Sequence, residues 1–476
     1  MGDRRTGSDS VRRCIVSPAS SLNRGLHSLP LPLLGSDLEV PLVTGERARY
    51  VNLDYAASAP CLRSVGDAVT AALPWYSSVH RGAGFASTVS SEMYGAARNA
   101  VGRFVGARST DRVVFVRNTT DALNLLSHVL PADTTVVTFV SEHHANLLPW
   151  RRGRFIHLPV PRRREDVPGL VEAALAGARS RHKLLAIAGA SNVTGEILPI
   201  AELASITRRH GARLAVDAAQ LIAHRPIDMA SLGVDYLVAS GHKLYAPFGS
   251  GVLVGPSDWL DAATPYLAGG GAARYVSLDS VEWADGDQRH EGGTPNLLGA
   301  IAMSAACQAL SQVGMAQVAA HEEALRGRIV RGLSTREGVE PLSIWEPAGD
   351  RVGIVAFTVR GWHPSAFAAA LSAEYGIGVR DGAFCAHPLL SILAPNQPGA
   401  VRVSFGVGTN DADVDRLLEA VFDLVRRGAR WRYRKEGGRF VPDPDPRPKP
   451  VLHSDLPSVG AIEPSSTGGC GVARVA

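Results

Sequence analysis

Val238-Ala239-Ser240-Gly241-His242-Lys243-Leu244-Tyr245 decides how the rest of the chain is read. The apolar run over 234–239 predicts a short buried strand, and it stops at Ser240-Gly241, just ahead of a lysine. Lysine is scarce: the 476 residues hold only Lys183, Lys243, Lys435 and Lys449, against 45 arginines. Arginine stays protonated, whereas a desolvated lysine can shed its proton and attack a carbonyl carbon. Lys243, at a strand end beside Ser, Gly and His, is therefore a candidate covalent anchor. The competing reading is an ordinary surface-loop lysine, and the surroundings have to decide between them.

Outward from this octet, strands and helices alternate from 112 to 254, which predicts a mostly parallel sheet covered on both faces, an α/β fold. Strand 112–116 runs into Asn118-Thr119-Thr120-Asp121, followed by Ala122, Leu123, Leu125, Leu126, Val129 and Leu130 at helical spacing. Thr119 and Thr120 thus sit at a helix N-terminus, where free N–H groups, the helix dipole and hydroxyls can cup a phosphate or where a threonine simply caps the helix. Strand 134–140 leads to Glu142-His143-His144-Ala145-Asn146. Adjacent histidines point in different directions and no third ligand is spaced nearby, so a metal is not expected. His143 or His144 stacking on a flat cofactor, or working as acid or base, suits the position better. Strand 183–189 ends in Ser191-Asn192-Val193-Thr194-Gly195. Leu214-Ala215-Val216-Asp217 places an acid at a strand's C-terminal end, where open α/β sheets bind ligands. A buried Asp217 needs a cationic partner, either a protonated ring nitrogen or one of the arginines. Before this region, 50–60 turns from a strand into small residues including Ala57, 61–76 reads as a helix, and 77–91 reads as a Gly-rich loop holding His80-Arg81-Gly82. A helix is expected from 92 to 105.

Composition narrows the function classes. A hydrophobic share of 45% with 20% charged residues is globular. The net charge of +4 is scattered, so no nucleic-acid face is expected. Cys14, Cys61, Cys307, Cys385 and Cys470 have neither disulfide nor zinc spacing, which suits a reducing cytoplasm. No 18-residue apolar run is present, so no membrane span is expected. Residues 1–35 read as a flexible leader. The C-terminal third reads as a second, α+β domain. It opens with a long helix at 295–333, followed by strand 353–359, helix 364–374, strands 377–380 and 400–406, and helix 410–427. Prolines at every second position from Pro442 to Pro450 exclude regular structure, and 436–476 is expected to be disordered.

In order, the chain also carries Asn118-Thr119-Thr120-Asp121-Ala122-Leu123-Asn124, Val216-Asp217-Ala218-Ala219-Gln220, Gly292-Gly293-Thr294-Pro295-Asn296 and Cys385-Ala386-His387-Pro388-Leu389. With the Glu142-His143-His144, Ser191-Asn192 and Ser240-Gly241-His242-Lys243 motifs, this resembles the class V aminotransferase superfamily over about 50–425. Within it the chain is most similar to the group II cysteine desulfurases and selenocysteine lyases. The resemblance implies a pyridoxal-phosphate-dependent enzyme of the type I fold. A mostly parallel, seven-stranded sheet would occupy a large domain at 65–320, and a smaller α+β domain would span 321–435, joined by an N-terminal segment at 36–64.

The resemblance also implies roles. Lys243 would hold pyridoxal 5'-phosphate and move the substrate proton. His143 would stack on the ring, Asp217 would keep the ring nitrogen protonated, and Gln220 would meet the ring hydroxyl. Thr119, Thr120, Ser240 and His242 would hold the phosphate. Thr294 would reach the phosphate of a second subunit, with the His80-Arg81-Gly82 loop beside it, which implies a homodimer. Ala57, Asn192, Arg380 and Arg402 would meet an amino-acid substrate, Arg402 as a bidentate carboxylate clamp. Cys385 would attack the sulfur of L-cysteine, giving L-alanine and a persulfide for a sulfur-acceptor protein. Arg380 would favour its thiolate. The alternative is another class V enzyme, a carbon–sulfur lyase, epimerase or aminotransferase, in which Cys385 is structural. Two departures from the family pattern stand out. Ala383 and Phe384 occupy the places of histidines before the cysteine, with Asp381 close by, and Tyr55 replaces an asparagine.

Overall fold

The computed structural model describes residues 29–346 and 349–448. Seven strands form the central sheet: β1 (Asp111–Val116), β2 (Thr134–Phe139), β3 (Arg154–Leu158), β4 (His182–Ala188), β5 (Arg213–Asp217), β6 (Tyr236–Ser240) and β7 (Gly251–Pro256), in the order β1-β7-β6-β5-β4-β2-β3. Only β7 runs antiparallel to its neighbours. Successive strand residues point to opposite faces, and here both faces are apolar. Leu185, Ile187, Val216 and Leu237 bury into one core, beneath helices α1 (Phe85–Phe104) and α3 (Leu297–Val313). Leu184, Ala186, Ala215 and Val238 bury into another, beneath α2 (Thr119–Val129). The C-terminal ends of β1, β2, β4, β5 and β6 therefore share one edge, and the segments holding Thr119, His143, Asn192, Asp217 and Lys243 all leave from it.

A second core lies under the antiparallel sheet of β8 (Val339–Pro341), β9 (Ile354–Val359), β10 (Arg380–Gly382) and β11 (Ala400–Ser404), in the order β8-β9-β11-β10. Helices α4 (Met315–Ser334), α5 (Pro364–Tyr375) and α7 (Asp411–Arg427) pack on it, with the short α6 (His387–Leu393) beside the site. Val51 and Leu53 bury in this core, and Val51–Asn52 pairs in parallel with Ile377–Gly378.

Five expectations need correcting. The helix expected at 295–333 is two helices meeting at 80°, because Gly314 takes a left-handed φ of +88° and ends α3. The helix expected at 61–76 stops at Ala72, where Pro74 forces a 3-10 turn. The loop expected at 77–91 is shorter, since α1 starts at Phe85. Its serines satisfy the loop's carbonyls, Ser87 donating to Ser78 O (2.6 Å) and Ser90 to Trp75 O (2.8 Å). The tail is not structureless from 436: Tyr433–Glu436 and Arg439–Pro442 form a hairpin. Glu374 holds it by accepting from Tyr433 Oη (2.9 Å) and Arg430 N (3.0 Å). Leu31 and Leu33, inside the expected leader, are buried. Residues 1–28 and 449–476, with Cys14 and Cys470, lie outside the described residues. Among the described residues no single helix is long and apolar enough to cross a membrane.

Candidate active site

Lys243 closes a 3-10 turn, Gly241–Lys243, at the end of the fully buried β6. Gly241 N donates to Ser250 O (2.7 Å), which ties the turn to the adjacent strand. Burial lowers the Lys243 amine to about 8, with Asp217 opposing and the Arg402 cation assisting. The amine can therefore lose its proton near neutrality, as a nucleophilic lysine must. This answers the surface-lysine alternative.

Asp217 ends β5 in burial, and Ala219 N donates to its Oδ1 (2.9 Å). Burial raises its carboxyl above the usual range, opposed by that N–H and by Lys243. No arginine pairs with it among the described residues, so the cation it needs would come from a ligand. Gln220 Nε2 donates to Ala56 O (2.8 Å), which brings the Ala56-Ala57 turn to the site, while Gln220 Oε1 is buried without a partner. His143 Nδ1 accepts from Ala145 N (3.0 Å), which places the imidazole proton on Nε2. Burial, then Lys243, holds this ring down to about 3, so it is a neutral, flat surface in the site.

Asn118, not a threonine, caps α2: its Oδ1 accepts from Asp121 N (3.0 Å). That leaves the Thr119 and Thr120 hydroxyls for other work. Thr119 N and Oγ1 both meet Ser240 Oγ at 2.7 Å, and Thr120 is exposed beside them. The arrangement is a helix N-terminus ringed by hydroxyls, suited to a phosphate. Gly251 makes it possible. A Cβ there would lie 2.6 Å from Asn118 Cα and 2.8 Å from Ala239 O, both backbone. We expect Gly251→Ala to lower stability by about 1–3 kcal/mol through overpacking and to weaken cofactor binding by displacing the Asn118-Thr119 turn. Thermal unfolding and cofactor titration check this, and unchanged values in both would remove the role given to Gly251.

Arg402, buried on β11, donates from Nη1 to Asn192 O (2.7 Å) and from Nη2 to Asp54 Oδ1 (3.1 Å), and stacks on the Phe384 ring at 4.9 Å. The bidentate clamp expected of it keeps donors in hand: Nη1 and Nη2 each give one of their two N–H groups to these bonds, and Nε is buried without a partner. Arg380 lies directly across the ladder from Arg402 and is exposed.

Asn192 Nδ2 donates to Phe384 O (2.7 Å), and His144 N donates to Cys385 O (2.9 Å). These bonds hold Phe384 and Cys385 in left-handed backbone, φ +53° and +55°, a conformation that costs non-glycine residues about 1 kcal/mol or more each. The half-buried Cys385 lies within electrostatic reach of both Lys243 and Arg402.

Thr294 stands apart. It is exposed in the loop that Arg81 gathers, with Arg81 Nη2 donating to Gly270 O (2.6 Å) and Gly293 O (2.9 Å). Sequence reasoning missed Asp54, whose only signal was an acid at the close of a strand-like segment. It also missed Glu142, buried between Asn146 Nδ2 (2.8 Å) and Ala188 N (2.7 Å) and pushed up to about 8 by burial, with Asp217 adding to the rise.

The residues present fit pyridoxal 5'-phosphate. The ringed helix N-terminus matches its phosphate, the unpaired Asp217 its ring nitrogen, the orphaned Gln220 Oε1 a ring substituent, and the depressed Lys243 amine its aldehyde carbon.

The family described as Aminotransferase class-V matches residues 51–417. A cysteine desulfurase of Klebsiella pneumoniae is 35% identical over 394 residues, 79% of this chain and 93% of that protein. A probable cysteine desulfurase of Mycolicibacterium paratuberculosis is 34% identical over 366 residues, 74% of this chain; the match spans 52% of that longer relative. The apo structure of a cysteine desulfurase from Thermococcus onnurineus superposes with a TM-score of 0.72 at 31% identity, covering 79% of this chain and 95% of that one.

Proposed function

The chain belongs to the class-V aminotransferase family, and from that premise we propose that it is a pyridoxal-phosphate-dependent cysteine desulfurase that leaves the substrate's sulfur as a persulfide on Cys385. The observation that carries this reading is the placement of Cys385, its carbonyl held by His144 N and the preceding Phe384 carbonyl by Asn192, within the electrostatic reach of Lys243 and Arg402. A structural cysteine needs no such aim.

Pyridoxal 5'-phosphate supplies an electron sink next to the substrate's amino carbon. Lys243 would hold it, and its amine would move a proton between substrate carbons. Its lowered pKa suits both tasks near pH 8. Asp217 stays anionic against a ring cation, and His143 packs as a neutral face. Thr119, Thr120, Ser240 and His242 hold the phosphate. Arg402, through the N–H groups not already engaged, and Asn192 orient the carboxylate of the substrate. Cys385 Sγ attacks the substrate sulfur. The S–S bond forms as the Cβ–S bond breaks, the bond's electron pair passes to carbon, and a proton there completes L-alanine. The retained sulfur then passes to a thiol acceptor protein.

The experiment measures alanine from L-cysteine by cofactor-loaded protein with a reductant, beside Cys385→Ala. Alanine from the parent and a loss of about 10²-fold or more in the variant is the expected result. Equal rates in both would end the persulfide mechanism.

Two sites are shared across a homodimer in this reading. Thr294 is exposed in the loop that Arg81 gathers. The neighbouring hairpin, Ala273–Val276 with Val281–Trp283, exposes Tyr275, Val276 and Leu278 in a way a partner would cover. Sedimentation should give twice the chain mass, and a fully active monomer would refute sharing.

A further inference from the structure

A pair of imidazoles that the mechanism above leaves unused stands next to the nucleophile. His144 and His387 stack with centroids 5.0 Å apart and planes 7° apart, and His387 Nδ1 lies 3.1 Å from His144 Nε2. Both are tied to Cys385. His387 is two residues further along, at the start of α6, and the His144 backbone N–H is the donor to Cys385 O. His144 is half-buried and His387 is exposed to solvent.

We propose that the His144–His387 pair holds one proton, and so one positive charge, beside Cys385 and thereby favours the thiolate that attacks sulfur. A nitrogen-to-nitrogen hydrogen bond needs one proton between the rings, which two neutral imidazoles already provide. One further proton on an outer nitrogen makes that bond charge-assisted and stronger. A second further proton would put two cations in stacked contact and force two donors together. One extra proton thus strengthens the bond between the rings, and a second would break it. Burial, and then His387, lowers the His144 imidazole, so the extra proton is not held on the His144 side of the pair.

The other charges that bear on Cys385, Lys243 and Arg402, are already engaged elsewhere. Arg402 is bonded to Asp54, and Arg380 is exposed with Asp381 next in sequence on the same strand. The Lys243 amine is committed to the cofactor, and His143 is neutral. Ala383 and Phe384, immediately before the cysteine, cannot carry a proton. The pair supplies the charge from two distant segments that only the fold brings together. In the step itself, the Cys385 S–H bond breaks with its electron pair left on sulfur, and the proton passes to an outer nitrogen of the pair, directly or through water. Nothing is oxidised. His144 and His387 are thus positioning residues, acting on the substrate through Cys385.

The inference rests on the desulfurase reading only for the use made of the thiolate. Its test therefore omits substrate: the alkylation rate of Cys385 by iodoacetamide, followed by peptide mass spectrometry from pH 5 to 10. The proteins compared are cofactor-loaded parent, His387→Gln and His387→Arg. His387→Gln should alkylate about tenfold more slowly at pH 7, the change for a thiol pKa raised by one unit. It should reach the parent's plateau rate at pH 10, which shows that access to the thiol is intact. His387→Arg, with a fixed charge, should restore the rate at pH 7. An unshifted profile in His387→Gln, a lowered plateau, or a failure of arginine to restore the rate would each overturn the proposal. None of these outcomes depends on whether alanine is formed.

Discussion

Lys243→Ala should lower kcat/KM for alanine formation by at least about 10³-fold, because it removes the covalent hold on the cofactor and the group that moves the substrate proton. Lys243→Arg should do no better. A guanidinium keeps its proton at any working pH and cannot attack the aldehyde carbon, even though its length and charge are similar. The rest of the fold should be untouched, since among the described residues Lys243 makes no hydrogen bond or ion pair that supports the turn. Gly241 and Ser250 carry the turn through the backbone. Removing an amine whose ammonium form is destabilised by burial should leave the melting temperature unchanged or slightly raised. Three measurements check this together: alanine production, retention of cofactor through gel filtration, and thermal unfolding. A variant that keeps its cofactor through filtration and retains a tenth of the parent's activity would refute the assignment of Lys243.

Asp217→Asn should cost about 10²–10⁴-fold in kcat with a small change in KM, the range of a lost proton-holding group. An asparagine keeps the shape and keeps the acceptor for Ala219 N, so the local backbone should hold. What it loses is the negative charge that keeps a ring nitrogen protonated, and with it the electron sink. Stability should not fall. A carboxylate raised by burial and unpaired within the chain is replaced by a neutral group, which relieves desolvation. Lower activity with an unchanged melting temperature separates this role from a structural one. A loss of stability with kcat intact would mean that Asp217 serves the fold instead.

Much of this was legible in the chain. Strand ends followed by Thr119, His143, Asp217 and Lys243 mark one edge of a parallel sheet, because β-strands feeding helices in α/β order leave their C-terminal ends on the same side. Residue type, spacing and order therefore carry the cofactor site. What was not legible depends on contacts between distant segments. Nothing local to Arg402 says that Asp54, 348 positions earlier, occupies its Nη2. Nothing local to Asn192 says that its amide holds the Phe384 carbonyl. Gly314 reads as a tolerable interruption in an apolar helical pattern until its left-handed φ turns the chain by 80°. The ordered hairpin at 433–442 was hidden by the prolines after it, and its stability comes from Glu374 on another helix.

The sequence by itself determined the α/β class, the sheet edge and the identity of the groups gathered along it, because alternation, strand length and side-chain chemistry act over a few residues at a time. The tertiary structure alone decided the protonation and aim of those groups. Burial sets the Lys243 amine and the His143 ring, the crossing of β7 beneath Asn118 shapes the phosphate cup, and the bond from His144 to Cys385 brings two histidines, 243 positions apart, into one stacked pair. Desolvation and through-space charge depend on what surrounds a group in three dimensions, and that is not written in its neighbours along the chain.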